Sequence, residues 1–324
     1  MTTLAPLRTL RRLGDPGWIA RSGLAAWVIV FLLLIGLTVA DPGQFWTSAS
    51  IANVLTGMVV LGLVSLGQHA VVLTGGIDLA VGSLATLAGL FTAIWINAYP
   101  IRTVPVILAV LVGGCAIGAA HGWLVARVGL APFIVTLATF YLLQGIAFTE
   151  STTPTGRVTT ALADLGLQSV GPVPLSAVVL AIAIAVVAVL LRFTPFGRHL
   201  LAVGGDIGAA RSIGVPVRRT VIGAYALSGA LAAAAGIMLA ARATVGSPTA
   251  GQGLELSAIT VVVVGGTSLL GGRGRLVGTI GGVALLALVE SSFTILQVSA
   301  TLNDLIRGLV ILAAAALFVS RGRL

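Results

Sequence analysis

The stretch LSAVVLAIAIAVVAVLLR, residues 175–192, carries one hydroxyl and no charge before its final Arg192. An α-helix needs about 20 mostly apolar residues to cross the hydrocarbon core of a bilayer, and this run meets that length. Inside lipid, backbone N–H and C=O groups must pair within the segment, so the run reads as a helix. Comparable runs recur at 24–40, 53–74, 77–97, 104–125, 131–149, 220–241, 256–270, 277–296 and 303–319. The pattern predicts an all-α membrane protein of about ten transmembrane helices. The run at 256–270 is the shortest and reads as a broken or re-entrant helix.

Working outward, Arg192 opens a loop that extends to Arg219 and holds five Arg residues. Every one of the eighteen basic residues is Arg, and most stand at the ends of apolar runs. If the N-terminus is placed inside, fourteen fall on the cytoplasmic side: Arg8, Arg11, Arg12, Arg21, Arg127, Arg192, Arg198, Arg211, Arg218, Arg219, Arg273, Arg275, Arg321 and Arg323. Only Arg102, Arg157, Arg242 and Arg307 fall outside. This positive-inside bias predicts both termini in the cytoplasm and an even number of spans. It also accounts for the net charge of +9 without a basic face, so nucleic acid is not an expected partner. Residues 1–23 read as a cytoplasmic N-terminal segment, and 24–324 as a single transmembrane domain. The run at 24–40 exceeds a usual signal-peptide core and reads as a retained first helix.

Composition agrees. Hydrophobic residues make up 58% and charged residues 8%, and mean hydropathy is +1.13. A soluble domain carries about a quarter charged residues. The lone Cys115 cannot form an intrachain disulfide, and no metal-type Cys/His cluster is present. His69, His121 and His199 lie in separate segments, with no nucleophile–base set beside them, so no catalytic residues are assigned. A Walker A loop requires Lys, and the chain has none. ATP hydrolysis of that class is therefore excluded within this polypeptide.

Two loops stand out. The outer one, 150–174, is polar and rich in Gly and Pro. In the inner one, 192–219, the middle (206–212) reads as one short helix, with Asp206 near its N-terminus and Arg211 near its end, as the helix dipole favours. An orientation signal needs neither this length nor the flanking Gly204, Gly205 and Gly214, so the loop reads as a docking element. Gly114, Gly118 and Gly122 recur at every fourth residue, as do Gly278 and Gly282, a spacing that lets helix backbones approach closely. A weak internal repeat pairs VVLTGGIDL (71–79) with VVVVGGTSL (261–269).

Polar groups at membrane depth are costly and need a reason. Gln68, His69, Thr74, Asp78, Thr267 and Ser268 are the candidates for a polar-solute path. Each has a structural alternative: Asp78 also reads as the N-cap of the third span, and His69 as a partner of a neighbouring helix. Glu255 is expected at the outer end of the eighth span, Glu290 in the ninth, and Asp304 and Arg307 as a pair opening the tenth.

The segment QHAVVLTGGIDLAVGSLATLAG (68–89) resembles the signature of sugar-transporting ABC permeases of the ribose type. GQGLELSAITVVVVGGTSLLGGRGRLVG (251–278) is similar to the second signature of that family, and 130–148, 196–215 and NDLIRGLVIL (303–312) follow it. The resemblance implies the ABC importer permease fold in a bacterial inner membrane. It further implies a dimer of two permease copies, a separate ATPase subunit that binds ATP and Mg, and a soluble binding protein that delivers a sugar. This chain would bind no cofactor or metal itself. The family's Ala-Ala-x-x-x-Gly pattern, which contacts the ATPase, falls on Ala209, Ala210 and Gly214, with Phe196, Gly197, Gly204, Gly205 and Arg211 around it. The family usually carries Glu directly before the paired Ala. Gly208 stands there, and Asp206 lies two residues earlier. An ion-coupled secondary transporter and a membrane scaffold are the rival readings; amino acids or nucleosides are the rival cargoes within the ABC class.

Overall fold

A computed structural model describes residues 24–40, 42–295 and Gly308. The segment 1–23, the Asp304–Arg307 pair and, Gly308 apart, the run at 303–319 lie outside the described residues. The described chain is mostly helical. Its elements are α1 (Leu24–Ala40), α2 (Pro42–Phe45), α3 (Ser48–Leu73), α4 (Val81–Ile96), α5 (Pro100–Trp123), α6 (Pro132–Glu150), α7 (Thr160–Leu167), α8 (Leu175–Phe193), α9 (Pro195–Gly205), α10 (Ile207–Ser212), α11 (Val217–Ala243), α12 (Leu254–Val264) and α13 (Leu276–Ile295). A small hairpin, β1 (Ser169–Val170) with β2 (Val173–Pro174), precedes α8. Nine of these helices coincide with the nine apolar runs that fall in the described residues. The chain is a multi-pass helical membrane protein.

Local chemistry sets the boundaries. The Thr47 hydroxyl accepts the Ser50 N–H at 3.2 Å and starts α3. Pro100 and Pro132 open α5 and α6 from the first turn, where a missing N–H costs nothing. α5 continues into a π-helical turn, Leu124–Val128, which Gly129 closes at φ +84°.

α11 is the axis of the bundle. Its 27 residues measure about 40 Å at 1.5 Å per residue, enough to cross a bilayer alone. α3, α4 and α5 pack around it. Gly118 faces the Tyr225 carbonyl and Gly122 the Ile222 Cα, with Gly114 against Gly229, so α5 and α11 touch backbone to backbone. The regular Gly spacing is thus satisfied within the chain. Gly282 does the same against Val261, and Gly278 against Gly265.

The end carrying α9 and α10 is called the base here, and the opposite end the crown. Arg127, Arg192, Arg198, Arg211, Arg218, Arg219, Arg273 and Arg275 lie in elements at the base; Arg102, Arg157 and Arg242 lie at the crown. The partition matches the one drawn from run order.

Two helices do not start at a surface. Asp78 meets Ser228, Gly236 packs on Ala85 and Gly89, and Gly246 packs on Leu90. α4 therefore runs parallel to α11 but begins near its midpoint, after the non-helical segment 74–80 has climbed from the base. The expected start at residue 77 is corrected to Val81. α12 mirrors this from the other side. Residues 244–253 descend from the crown without helical structure, and Gly251 reaches Gly82, its N–H bonding Thr86 Oγ1 at 2.9 Å. The helix then covers only 11 residues, about 16 Å, roughly half the hydrocarbon thickness. The short eighth run is indeed broken. Glu255, expected at the outer surface, consequently sits at half height beside Gly82. Run length alone could not reveal this, because 244–253 (TVGSPTAGQG) reads as a surface loop and not as chain that enters the bundle.

The short helix expected at 206–212 is present as α10, and the inner loop holds a second helix, α9, that was not expected. Thr194 caps α9 by accepting the Phe196 N–H at 3.2 Å, with Pro195 at the first position. That Thr-Pro start was a legible signal.

Candidate functional site

The midpoint of the bundle gathers buried polar groups around the segment 74–80. Asp78 is almost fully buried. One carboxylate oxygen, Oδ2, accepts the Ser228 hydroxyl at 2.8 Å, and Oδ1 accepts the Ala80 N–H at 3.0 Å. Ala80, not Asp78, is the N-cap residue of α4, so the capping alternative for Asp78 is corrected: its carboxylate closes a turn one step earlier and ties it to α11. The Gln68 amide faces the Asp78 peptide. With its nitrogen toward the Asp78 carbonyl (3.0 Å) and its oxygen toward the Asp78 N–H (3.3 Å), both groups are satisfied. The Tyr225 hydroxyl donates to the Ile77 carbonyl at 3.3 Å, and Thr136 of α6 approaches the same oxygen at 3.4 Å. Close approach makes this cluster possible: Gly67 packs on the Ser228 Cα, and Gly76 lies under the Tyr225 hydroxyl.

His69 belongs to a second cluster. Its Nδ1 lies 2.9 Å from Thr279 Oγ1 and 3.2 Å from Thr267 Oγ1. The ring thus ties α3 to α13 and to the turn after α12, as the helix-partner alternative expects.

Thr74 and Ser268 stand at the base. The Thr74 hydroxyl bonds the Val71 carbonyl, and Ser268 Oγ accepts the Leu270 N–H. The six path candidates are therefore split between two buried clusters and two turns.

Those turns repeat one another. Gly76 N–H bonds the Val71 carbonyl and Gly75 N–H that of Val72; Thr267 N–H bonds Val262 and Gly266 N–H bonds Val263. Both are Schellman caps, with Gly75 at φ +81° and Gly266 at φ +83°. The structural repeat pairs Gly75 with Gly266, one residue out of step with the sequence match.

Three glycine turns meet at the base. Gly272 N–H donates to the Leu73 carbonyl at 3.0 Å. Gly271 packs on Gly75, and Gly204 packs on the Leu73 carbonyl and on Gly272, with Gly205 also against Gly272. Beyond them lies α10. Asp206 caps it, its Oδ1 accepting the Ala209 N–H at 2.8 Å. Ala210 is buried in a cluster with Val217, Val221, Tyr225 and Leu200. Ile207, Gly208, Ala209, Arg211 and Ile213 are exposed. Phe196 packs against the same cluster, and Gly197 lies on the Leu191 backbone. Gly214 turns the chain at φ +81° into α11. The base thus presents a short helix held by one buried Ala, with its outward face free.

Comparison with known proteins follows the same lines. Residues 50–315 match the family described as branched-chain amino acid transport system, permease component. The chain is 36% identical over 304 residues to the ribose import permease of Bacillus subtilis, covering 91% of this chain and 92% of that protein. The chain belongs to the ribose-type family of ABC-transporter permeases. The permease is also 36% identical over 292 residues to the ribose import permease of Escherichia coli, covering 89% of this chain and 91% of that one. It is 33% identical over 297 residues to the L-arabinose ABC transporter permease of Azospirillum brasilense, covering 91% and 86%. No solved structure matches the permease.

Sequence reading missed Tyr225, Ser228, Thr136 and Thr279, which complete the two clusters. Tyr225 and Ser228 lie three apart on one helix within an apolar run, so they share a face. That spacing of two polar groups at membrane depth was the available signal.

Proposed function

We propose that the permease is the membrane-spanning subunit of an ATP-driven importer for a monosaccharide, working in the inner membrane with both termini in the cytoplasm. In this reading two permease copies flank the path. A separate ATPase, carrying the ATP and Mg, docks on α9 and α10, and a soluble binding protein delivers sugar at the crown. The non-enzymatic transport role follows from the family; the partners and the docking face are the proposal.

One observation carries it. The exposed helix α10 rests, through Ala210 and the Gly204–Gly205 turn, on the end of α3. From that end the segment 74–80 climbs to the buried Asp78. A push on α10 is thereby delivered to the segment 74–80, which leads into α4 at mid-depth. Closure of the ATPases on ATP would carry α10 with them and switch the bundle between inward-open and outward-open forms. Gln68, His69, Thr74, Asp78, Thr267 and Ser268 would then adjust the core, not grip the sugar tightly, and selection would fall mostly to the binding protein. The sugar reading draws support from relatives named for ribose and arabinose import.

The test is reconstitution in proteoliposomes with the ATPase and binding protein. Sugar uptake should require ATP and binding protein together. Replacing Arg211 by Glu, or Ala209 and Ala210 by Glu, should detach the ATPase or uncouple it from uptake. Uptake by this chain alone, on an ion gradient without ATP, would establish the secondary-transporter reading instead.

A further inference from the structure

His121 is a buried polar side chain that the reading above leaves unused. It lies on the last turn of α5, and only 3% of its surface is exposed. Neither ring nitrogen has a hydrogen-bond partner among the described residues. A neutral imidazole always presents one donor and one acceptor. Burying both unmade is costly, and native proteins keep such groups rarely.

The surroundings show where a partner is. The ring stands edge-on to Tyr225, centroids 6.5 Å apart at 86°, and the Tyr225 hydroxyl in turn bonds the carbonyl of Ile77, the residue before Asp78. The Asp78 carboxylate already takes Ser228 and the Ala80 N–H. A carboxylate has about four acceptor sites, so it can take another donor.

Three further features make the end of α5 movable. His121 sits between Gly118 and Gly122, whose face lies directly on the α11 backbone with no side chain between. Immediately after this stretch comes the π-helical turn Leu124–Val128, a form that holds one extra residue per turn and can release it. Val125 and Ala126 of that turn pack in the same cluster as Ala210 of α10. The π turn and α10 thus pack into one apolar cluster at the base, and His121 lies on the helical turn just before it.

We propose that His121 is a coupling residue, resting on the permease reading above. When α10 moves, the π turn yields and the end of α5 shifts along its glycine seam. His121 then donates to the Asp78 carboxylate. The new bond ties the end of α5 to the carboxylate that pins segment 74–80, so that in one transport state the segment follows α5. His121 acts through Asp78 and touches no sugar.

The experiment uses the full complex in proteoliposomes. His121→Phe keeps a ring of similar bulk and removes both nitrogens; His121→Gln restores a donor. ATPase binding and ATP turnover should stay near wild type in H121F, while sugar imported per ATP falls about tenfold, the weight of one hydrogen bond to a charged group. H121Q should recover most of that loss. Wild-type coupling in H121F overturns the proposal and leaves the permease reading standing. Absence of ATP-driven import by the wild-type complex overturns both. A second measurement needs no variant: hydrogen exchange of wild-type peptides covering 119–130, nucleotide-free against vanadate-trapped. Exchange there should differ between the two states; identical protection overturns the proposal even if H121F does not assemble.

Discussion

Ser228 shows what a single buried hydroxyl does in this bundle. It is the side-chain donor to Asp78 Oδ2, and it does so from the middle of the axis helix α11. Ser228→Ala leaves a buried carboxylate oxygen without that donor and should cost about 1–3 kcal/mol, read as a lower thermal midpoint of the detergent-purified chain. Gly118 shows the opposite constraint. Any Cβ there meets the Tyr225 carbonyl, and neither backbone can retreat because Gly114 and Gly122 hold the same seam. Gly118→Leu should destabilise by about 1–3 kcal/mol or more through overpacking, whereas Leu at Gly113, which faces open space, should leave the midpoint nearly unchanged. At this scale the glycine spacing was legible before any coordinates, because close approach depends only on residue size and period. Asp78 was legible as a buried charge, but its partners were not. Ser228 and Tyr225 lie about 150 positions away, and an apolar run carries no mark of which neighbour it will face.

Among the elements, α10 is the most exact sequence expectation. A short helix over 206–212, with Asp206 near its start and Arg211 near its end, was expected, and the helix is Ile207–Ser212 with Asp206 as its cap. Asp206→Ala removes the bond to the Ala209 N–H and should cost about 1 kcal/mol of local stability. Amide exchange across 207–212 should speed up, while Asp206→Ser, another good cap, should keep it slow. α9 was passed over although Thr194–Pro195 is a strong start, because a loop rich in Arg and Gly reads as irregular. α4 and α12 were over-extended for a different reason. Hydropathy reports an apolar run, and the runs continue through 77–80 and 265–270, which are not helical. Backbone groups there find partners outside any helix, as the Ala80 N–H does with the Asp78 carboxylate and the Ser268 N–H with the Arg273 carbonyl. Only a three-dimensional neighbour reveals that satisfaction.

For the whole molecule, the arginine partition makes a prediction about sidedness. In a Cys115→Ser background, a cysteine replacing Arg211 or Arg273 should react with an impermeant maleimide only from the cytoplasmic side of intact cells' membranes. One replacing Arg157 or Arg242 should react only from outside. The reverse labelling would invert the bundle and detach the base from any cytoplasmic ATPase. Long spans and their order were readable because a bilayer imposes one thickness on every helix that crosses it. α12 escapes that rule, and this bears on how the chain enters the membrane during synthesis. Eleven residues are too few to partition into lipid on their own, and the ten before them carry exposed peptide groups. Nascent chain ending near residue 275 should therefore leave 244–275 outside the bilayer, or only loosely held in it. Integration should complete once α13 has emerged, with α11 and α13 acting as the two anchors and the half-height helix drawn in between them.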